Sequence, residues 1–394
     1  MFKLDNKIGL GLASLGRPGY INIGHDGDLG PNKTRENMQT QCHDVLDYAY
    51  SNGIKYFDVA RVYGESEQFL SNWIRKQSQF DGFVGSKWGY EYLANWEVDA
   101  KTHERKDHSL KFLKEQWIET RLNLGKSIDL YQIHSVTNDS PVLDDPTVLK
   151  ELEEMKKKGI EIGISTSGPD QEITIEKFLK INEKTKLFTF LQTTINIFDQ
   201  SCTAILKNAS ENKINIIAKE IFSNGRLTNA NKKFHQNELI ELVTIAKSVN
   251  LNLEELSYLW VYQLPFIKIC LTGASTITQQ IMKNFLLLLL LVLAPGLLSL
   301  IPYSDLFGNN HYQTEQEALN ACIDWERARG EYNAYTMLYG RKIDWEKRPR
   351  GFCLKNMSGK KFYYGRKVFV KREGEYDRYG EMRVDDVIRW YYKE

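Results

Sequence analysis

A closed (β/α)8 barrel is the fold class that the sequence predicts, on three observations. Short apolar runs alternate eight times with amphipathic stretches over about 280 residues, the usual size of such a barrel. Successive runs end in single polar side chains, Asp58, Lys87, His134, Ser165 and Gln192, and barrel enzymes gather their chemistry at such C-terminal strand ends. The glycines after the first run, Gly9, Gly11 and Gly16, do not fit GxGxxG because the third comes too late. A doubly wound sheet, the second architecture considered, usually has fewer strands and carries that glycine-rich turn.

From the N-terminus, KIGLGLASLG predicts strand Ile8–Leu10, then a loop through RPGYINIGHDGDLGPN. Thr34–Asn52 spaces Met38, Cys42, Val45, Leu46 and Ala49 along one helical face until Gly53 stops it, and strand Ile54–Val59 follows. The pattern then predicts helix Ser66–Lys76, strand Phe83–Ser86, helix Ser109–Leu124, strand Ile128–Ile133, helix Pro146–Lys158 and strand Ile160–Ile164. Helix Gln171–Ile181, strand Phe188–Thr193, helix Ser201–Lys207 and strand Ile214–Ala218 come next. Helices Glu238–Val249 and Glu254–Gln263 and strand Ile267–Leu271 complete the eight units.

Composition excludes some partners. The 394 residues carry 52 Lys and Arg against 51 Asp and Glu, a net charge of +1, so no nucleic acid is expected as a partner. Residues 1–281 hold 33 basic and 36 acidic side chains, whereas 302–394 hold 18 and 15, so the tail is mildly basic. Cys42, Cys202, Cys270, Cys322 and Cys353 lie far apart without a CxxC, so no metal site is expected; the first three read as small buried apolar side chains in a reducing compartment. Met1–Gly11 lacks an apolar core long enough for a secretory signal, which predicts a cytoplasmic barrel.

The stretch IKYFDVARVYGESE ends a strand at Asp58 and places Tyr63 five residues later. A phenol has a solution pKa near 10, so it needs help to exchange a proton near neutrality. A neighbouring Lys87 favours phenolate, and Asp58 keeps that lysine charged and fixed. His134 then orients a carbonyl oxygen or shares the proton. Taken singly, each has an ordinary structural explanation: a loop cap, a packed aromatic, a solvated lysine and a core histidine.

The segments FDVARVYGESE, GSKWG, DLYQIHS and the late GAST together resemble the aldo-keto reductase family over about residues 1–280. The resemblance implies an oxidoreductase in which Asp58, Tyr63, Lys87 and His134 form the catalytic tetrad and Tyr63 is the general acid. It implies NADP or NAD bound without a Rossmann domain, and hydride transfer between nicotinamide and a carbonyl or sugar substrate. Ser165, with Thr166 in place of the usual Asn, and Gln192 match the family's carboxamide contacts. Lys219 stands where an aromatic residue typically stacks on the nicotinamide; its KE pair followed by NGRL is similar to the sugar-dehydrogenase-like branch and favours an aldose or polyol. Ser223, Asn224, Gly225 and Arg226 are implied near the pyrophosphate, and Ser275 and Thr276 near the adenosine, with Gln279 in the same cofactor-binding segment. Trp88 and Tyr90 either wall the substrate pocket or pack at its rim.

After GASTITQQ the resemblance implies a polar amphipathic helix and a C-terminal helix over the barrel, but the chain reads IMKNFLLLLLLVLAPGLLSLIP. Phe285–Ile301 is seventeen residues, all apolar or small but one serine, interrupted by Pro295 and Gly296. With Met282-Lys283-Asn284 before it, the run resembles a secretory signal placed in mid-chain. The expected domains are therefore a barrel at 1–281, an apolar helix or signal-like segment at 282–303, and a small C-terminal α+β module at 304–394. A fusion near Gln280–Met282 is the favoured account; a membrane-anchored reductase and a replaced last barrel helix are the alternatives. The rival functional class is a catalytically impaired barrel acting as a binding or regulatory subunit.

Overall fold

Eight parallel strands close on themselves in sequence order around the ring: β1 Ile8–Gly11, β2 Tyr56–Asp58, β3 Phe83–Trp88, β4 Leu130–Val136, β5 Glu161–Thr166, β6 Phe190–Thr194, β7 Asn215–Lys219 and β8 Ile267–Thr272. This computed structural model describes residues 6–168, 170–231 and 236–280, with the dipeptides 310–311 and 363–364. Strands covered on both faces must be apolar almost throughout, which is why they read as continuous runs rather than alternating ones. Closure comes from β1, which pairs with β8 through Ile8 and Cys270 and with β2 through Gly11 and Asp58.

The helices between strands start where the sequence supplies caps. Thr34 accepts from the Asn37 amide and Ser109 from that of Phe112. Asp145 accepts from Thr147 and Val148 ahead of a helix that opens with Pro146. Asn252 and Glu255 form a reciprocal capping box. The barrel interior is filled by Tyr56, Leu130, Phe190, Ile217, Ile269 and Leu271. Gly9 makes room for them, since a Cβ there would lie 2.8 Å from both Ile269 and Tyr56.

The structure departs from the predicted elements at the rim. A short helix, His25–Leu29, lies in the long loop after β1. A hairpin of Tyr90–Tyr92 and Glu104–Lys106 rises between β3 and its helix. Neither has the apolar periodicity that marks a buried element. β4 also continues past Ile133 to Val136, through a register shift against β5.

By contact the chain divides into two compact units, Met1–Leu291 and Val292–Glu394. In the second, Asn310–His311 pairs antiparallel with Tyr363–Tyr364. The predicted apolar segment 285–301, the remaining residues of the 304–394 module, Cys322 and Cys353 lie outside the described residues. Among the described residues no helix is long and apolar enough to cross a membrane.

Candidate active site

Strand ends bring four predicted residues together at the C-terminal rim. Asp58 ends β2 and Lys87 is the fifth residue of β3, both turned inward and almost fully buried. The Lys87 ammonium donates to Asp58 Oδ2 at 2.5 Å and to the Val59 carbonyl at 3.0 Å. Asp58 Oδ1 accepts from Gln192 Nε2 at 2.8 Å and from the Tyr56 hydroxyl at 3.4 Å. Both oxygens of the buried carboxylate are thus occupied, as burial of a charge requires.

Tyr63 stands on the loop after β2 with its ring over Lys87, whose Nζ is 4.6 Å from the ring centroid. Its hydroxyl lies 3.3 Å from His134 Nε2, and the two rings meet edge to face. Burial, and then the Asp58 carboxylate, push the phenol well above its ordinary pKa. The direction is opposite to the acidification expected from Lys87, and burial favours the protonated phenol. Burial and the Lys87 charge push His134 well below the ordinary imidazole value, so it is neutral at physiological pH. Lys87 is itself lowered by burial, which the Asp58 charge opposes.

The predicted cofactor residues lie at or just beyond the ends of β5, β6, β7 and β8. Ser165 Oγ accepts from the Ser135 amide at 2.8 Å, at the rim beside His134. Thr166 points the other way, as strand alternation requires, and its hydroxyl bonds to Gln171 and Thr193. Lys219 pairs with Glu220 at 2.5 Å and donates to Thr194 at 2.9 Å. Ser223, Asn224 and Gly225 follow in consecutive left-handed conformations, φ 49°, 51° and 88°. The Arg226 guanidinium lies over the Phe198 ring. Beyond the end of β8, Gln279 accepts from the Ser275 amide through Oε1, donates its own backbone amide to Thr276 Oγ1, and donates from Nε2 to Asp28 Oδ2.

The two aromatic residues, expected either to wall the pocket or to pack at its rim, differ in their surroundings. Trp88 follows Lys87 on β3, so it faces away from the interior, is fully buried, and offers no surface to a substrate. Tyr90 is half-buried and meets His134 edge to face, ring centroids 5.3 Å apart.

Sequence reasoning missed several residues at this rim. Arg17 donates to the Val62 carbonyl and to Glu104 of the hairpin and lies over the Tyr20 ring. His108 packs against Trp88 and Tyr90, and burial pushes it down to about 4. Lys106 is pushed down by burial to about 8. The helix predicted from Ser109 gave no sign that His108 and Lys106, just before it, reach the backbone of His134 and Ser135.

Fold and rim cluster together define a (β/α)8-barrel enzyme with a buried lysine–carboxylate pair beneath a tyrosine and a neutral histidine. The chain belongs to the aldo/keto reductase family, whose model matches residues 7–291, and it is accordingly an oxidoreductase. Similar solved structures include a holo form of an aldo-keto reductase from Bacillus halodurans, 21% identical over 71% of this chain and 86% of that one, TM-score 0.53. Another is the glycerol dehydrogenase of Gluconobacter oxydans, 17% identical over 86% and 95% of the two chains, TM-score 0.54. No curated protein matches the chain by sequence.

Proposed function

We propose that the barrel interconverts a carbonyl and an alcohol with NAD or NADP, with Tyr63 as the proton donor to the carbonyl oxygen. The observation that carries this reading is the Tyr63 hydroxyl 3.3 Å from His134 Nε2, above the Lys87–Asp58 pair. A phenol raised by burial is fully protonated at neutral pH and can deliver its proton as oxyanion character develops. Lys87 then stabilises the resulting phenolate, and Asp58, held by Gln192 and Tyr56, keeps that charge in place. Neutral His134 orients the substrate oxygen beside Tyr63.

The donor set fits a dinucleotide. Gln192 spends its amide group on Asp58, which leaves Oε1 to accept from a nicotinamide carboxamide. Exposed Gly273 opens space beside Asn22, whose Nδ2 is the nearest atom a Cβ there would meet, at 3.8 Å. Ser223, Asn224, Gly225 and Arg226 would hold the pyrophosphate, and Ser275, Thr276 and Gln279 the adenosine end. The bound nicotinamide supplies the hydride. The Lys219-Glu220 pair and the NGRL that follows favour an aldose or polyol substrate, a class to which the glycerol dehydrogenase with the same fold also points.

The test is consumption of NADH or NADPH by the purified protein with a panel of aldehydes and aldoses. Tyr63→Phe is expected to lower kcat by roughly two to four orders of magnitude while nucleotide binding persists. Full activity in that variant, or nucleotide binding with no turnover of any carbonyl by the wild type, overturns the reading.

A further inference from the structure

His134 sits at a break in its own strand. The β4–β5 register shifts between Ile133 and Val136, and Ser135 has φ 51°, a left-handed conformation that side chains other than glycine rarely adopt. Such a residue persists only where its surroundings over-determine it. Three side chains do so here. Lys106 donates to the Ser135 carbonyl at 2.8 Å, Ser165 Oγ accepts from the Ser135 amide at 2.8 Å, and His108 Nε2 lies 2.8 Å from the His134 carbonyl.

The lysine is itself fixed. Its other protons go to Ser140 Oγ at 3.1 Å and Thr137 Oγ1 at 3.3 Å, in a turn closed by the Thr137 amide on Ser140 Oγ. The strand that carries it is seated on the rim. Gln116 accepts from the Gly89 amide and donates to the Tyr90 carbonyl, and Asp107 donates its amide to the Gly89 carbonyl. Gly89, at φ 113°, lets His108 approach, since a Cβ there would lie 2.3 Å from the imidazole.

We propose that Lys106 is a positioning residue of the reaction: from the hairpin it pins the left-handed turn at Ser135 and so holds His134 Nε2 against the Tyr63 hydroxyl. The inference rests on the oxidoreductase reading of the site, but it assigns a purpose to the hairpin that this reading does not require. Lys106 touches neither Tyr63 nor the reacting atoms, so it acts through the backbone.

The experiment compares Lys106→Met with wild type in the full chain. Three quantities are read: kcat, the KM for the nucleotide, and the side-chain 15N resonance of His134, assigned by its loss in His134→Gln. The expected result is a fall in kcat of about tenfold or more, a nucleotide KM within about twofold, and a displaced His134 resonance. Adding Ser135→Gly should recover part of the lost kcat, because glycine adopts the turn without being held. Ser140→Ala, which removes one acceptor and leaves the ammonium, is the milder variant should Lys106→Met fail to fold; a smaller displacement in the same direction is expected. An unmoved resonance in whichever variant folds, an unchanged kcat, or no recovery with Ser135→Gly overturns the proposal. If the wild type turns over no carbonyl, the oxidoreductase reading falls, while the resonance still decides whether Lys106 holds His134.

Discussion

The buried pair Lys87–Asp58 sets the energetics of the site one residue at a time. Lys87 has no exposed surface, so an Asp58→Asn chain would leave an ammonium in the interior without its counter-charge. Breaking such a pair typically costs about 3–5 kcal/mol, and denaturant melts of Asp58→Asn should show a loss of that order together with lost turnover. A variant within about 1 kcal/mol of wild type would mean the pair is not what holds the lysine. Histidines give the complementary pH dependence. Burial pushes His25 and His108 down to about 4 from the ordinary 6.5, so between these values the unfolded chain binds the more protons. Stability therefore falls as pH drops from 6.5 to 4 and stops falling on their account below that. At roughly 1.4 kcal/mol per unit, each contributes on the order of 3 kcal/mol. Thermal melts across that range should show the slope, and His25→Leu should flatten its share.

Among the elements, the loops after β1 and β2 are locked together where neither has room for a side chain. A Cβ on Gly16 would lie 2.1 Å from the Tyr63 carbonyl oxygen, and one on Gly64, at φ 59°, would lie 2.4 Å from that of Gly16. The Glu65 amide donates to the Gly16 carbonyl across the same contact. Gly16→Ala must therefore displace the segment that carries Tyr63. Its expected signature is a loss in kcat of about tenfold to a hundredfold with a modest change in melting temperature. Equal kcat in that variant would show that the Tyr63 loop tolerates displacement. In the sequence Gly16 showed only that it misses the GxGxxG spacing, because the atoms that crowd it lie on a loop some fifty residues away.

For the whole molecule, the family match and the division by contact both end at residue 291, beyond the GAST segment and inside the apolar run. We propose that two coding units meet near Gln280–Met282, and that the barrel and the 304–394 module are separate molecules in the cell. Intact mass spectrometry of the natural polypeptide is expected to show the barrel without the tail. A single 45.8 kDa species would end that account and bring forward the anchored-enzyme alternative, for which carbonate extraction of membranes is the direct measurement.

The eight strand–helix alternations and the polar residues that end the strands were legible in the sequence because burial imprints its periodicity locally. A strand covered on both faces must be apolar wherever it lies, and its last inward residue must be the one that meets the site. Closure of the ring decided the rest. Gln192 reaches Asp58 across 134 residues, the hairpin folds back so that Lys106 reaches Ser135, and enclosure at the rim, more than any adjacent charge, keeps the Tyr63 proton in place. Such pairings depend on which strands become neighbours and how deeply each group is enclosed, and no window of sequence contains both partners.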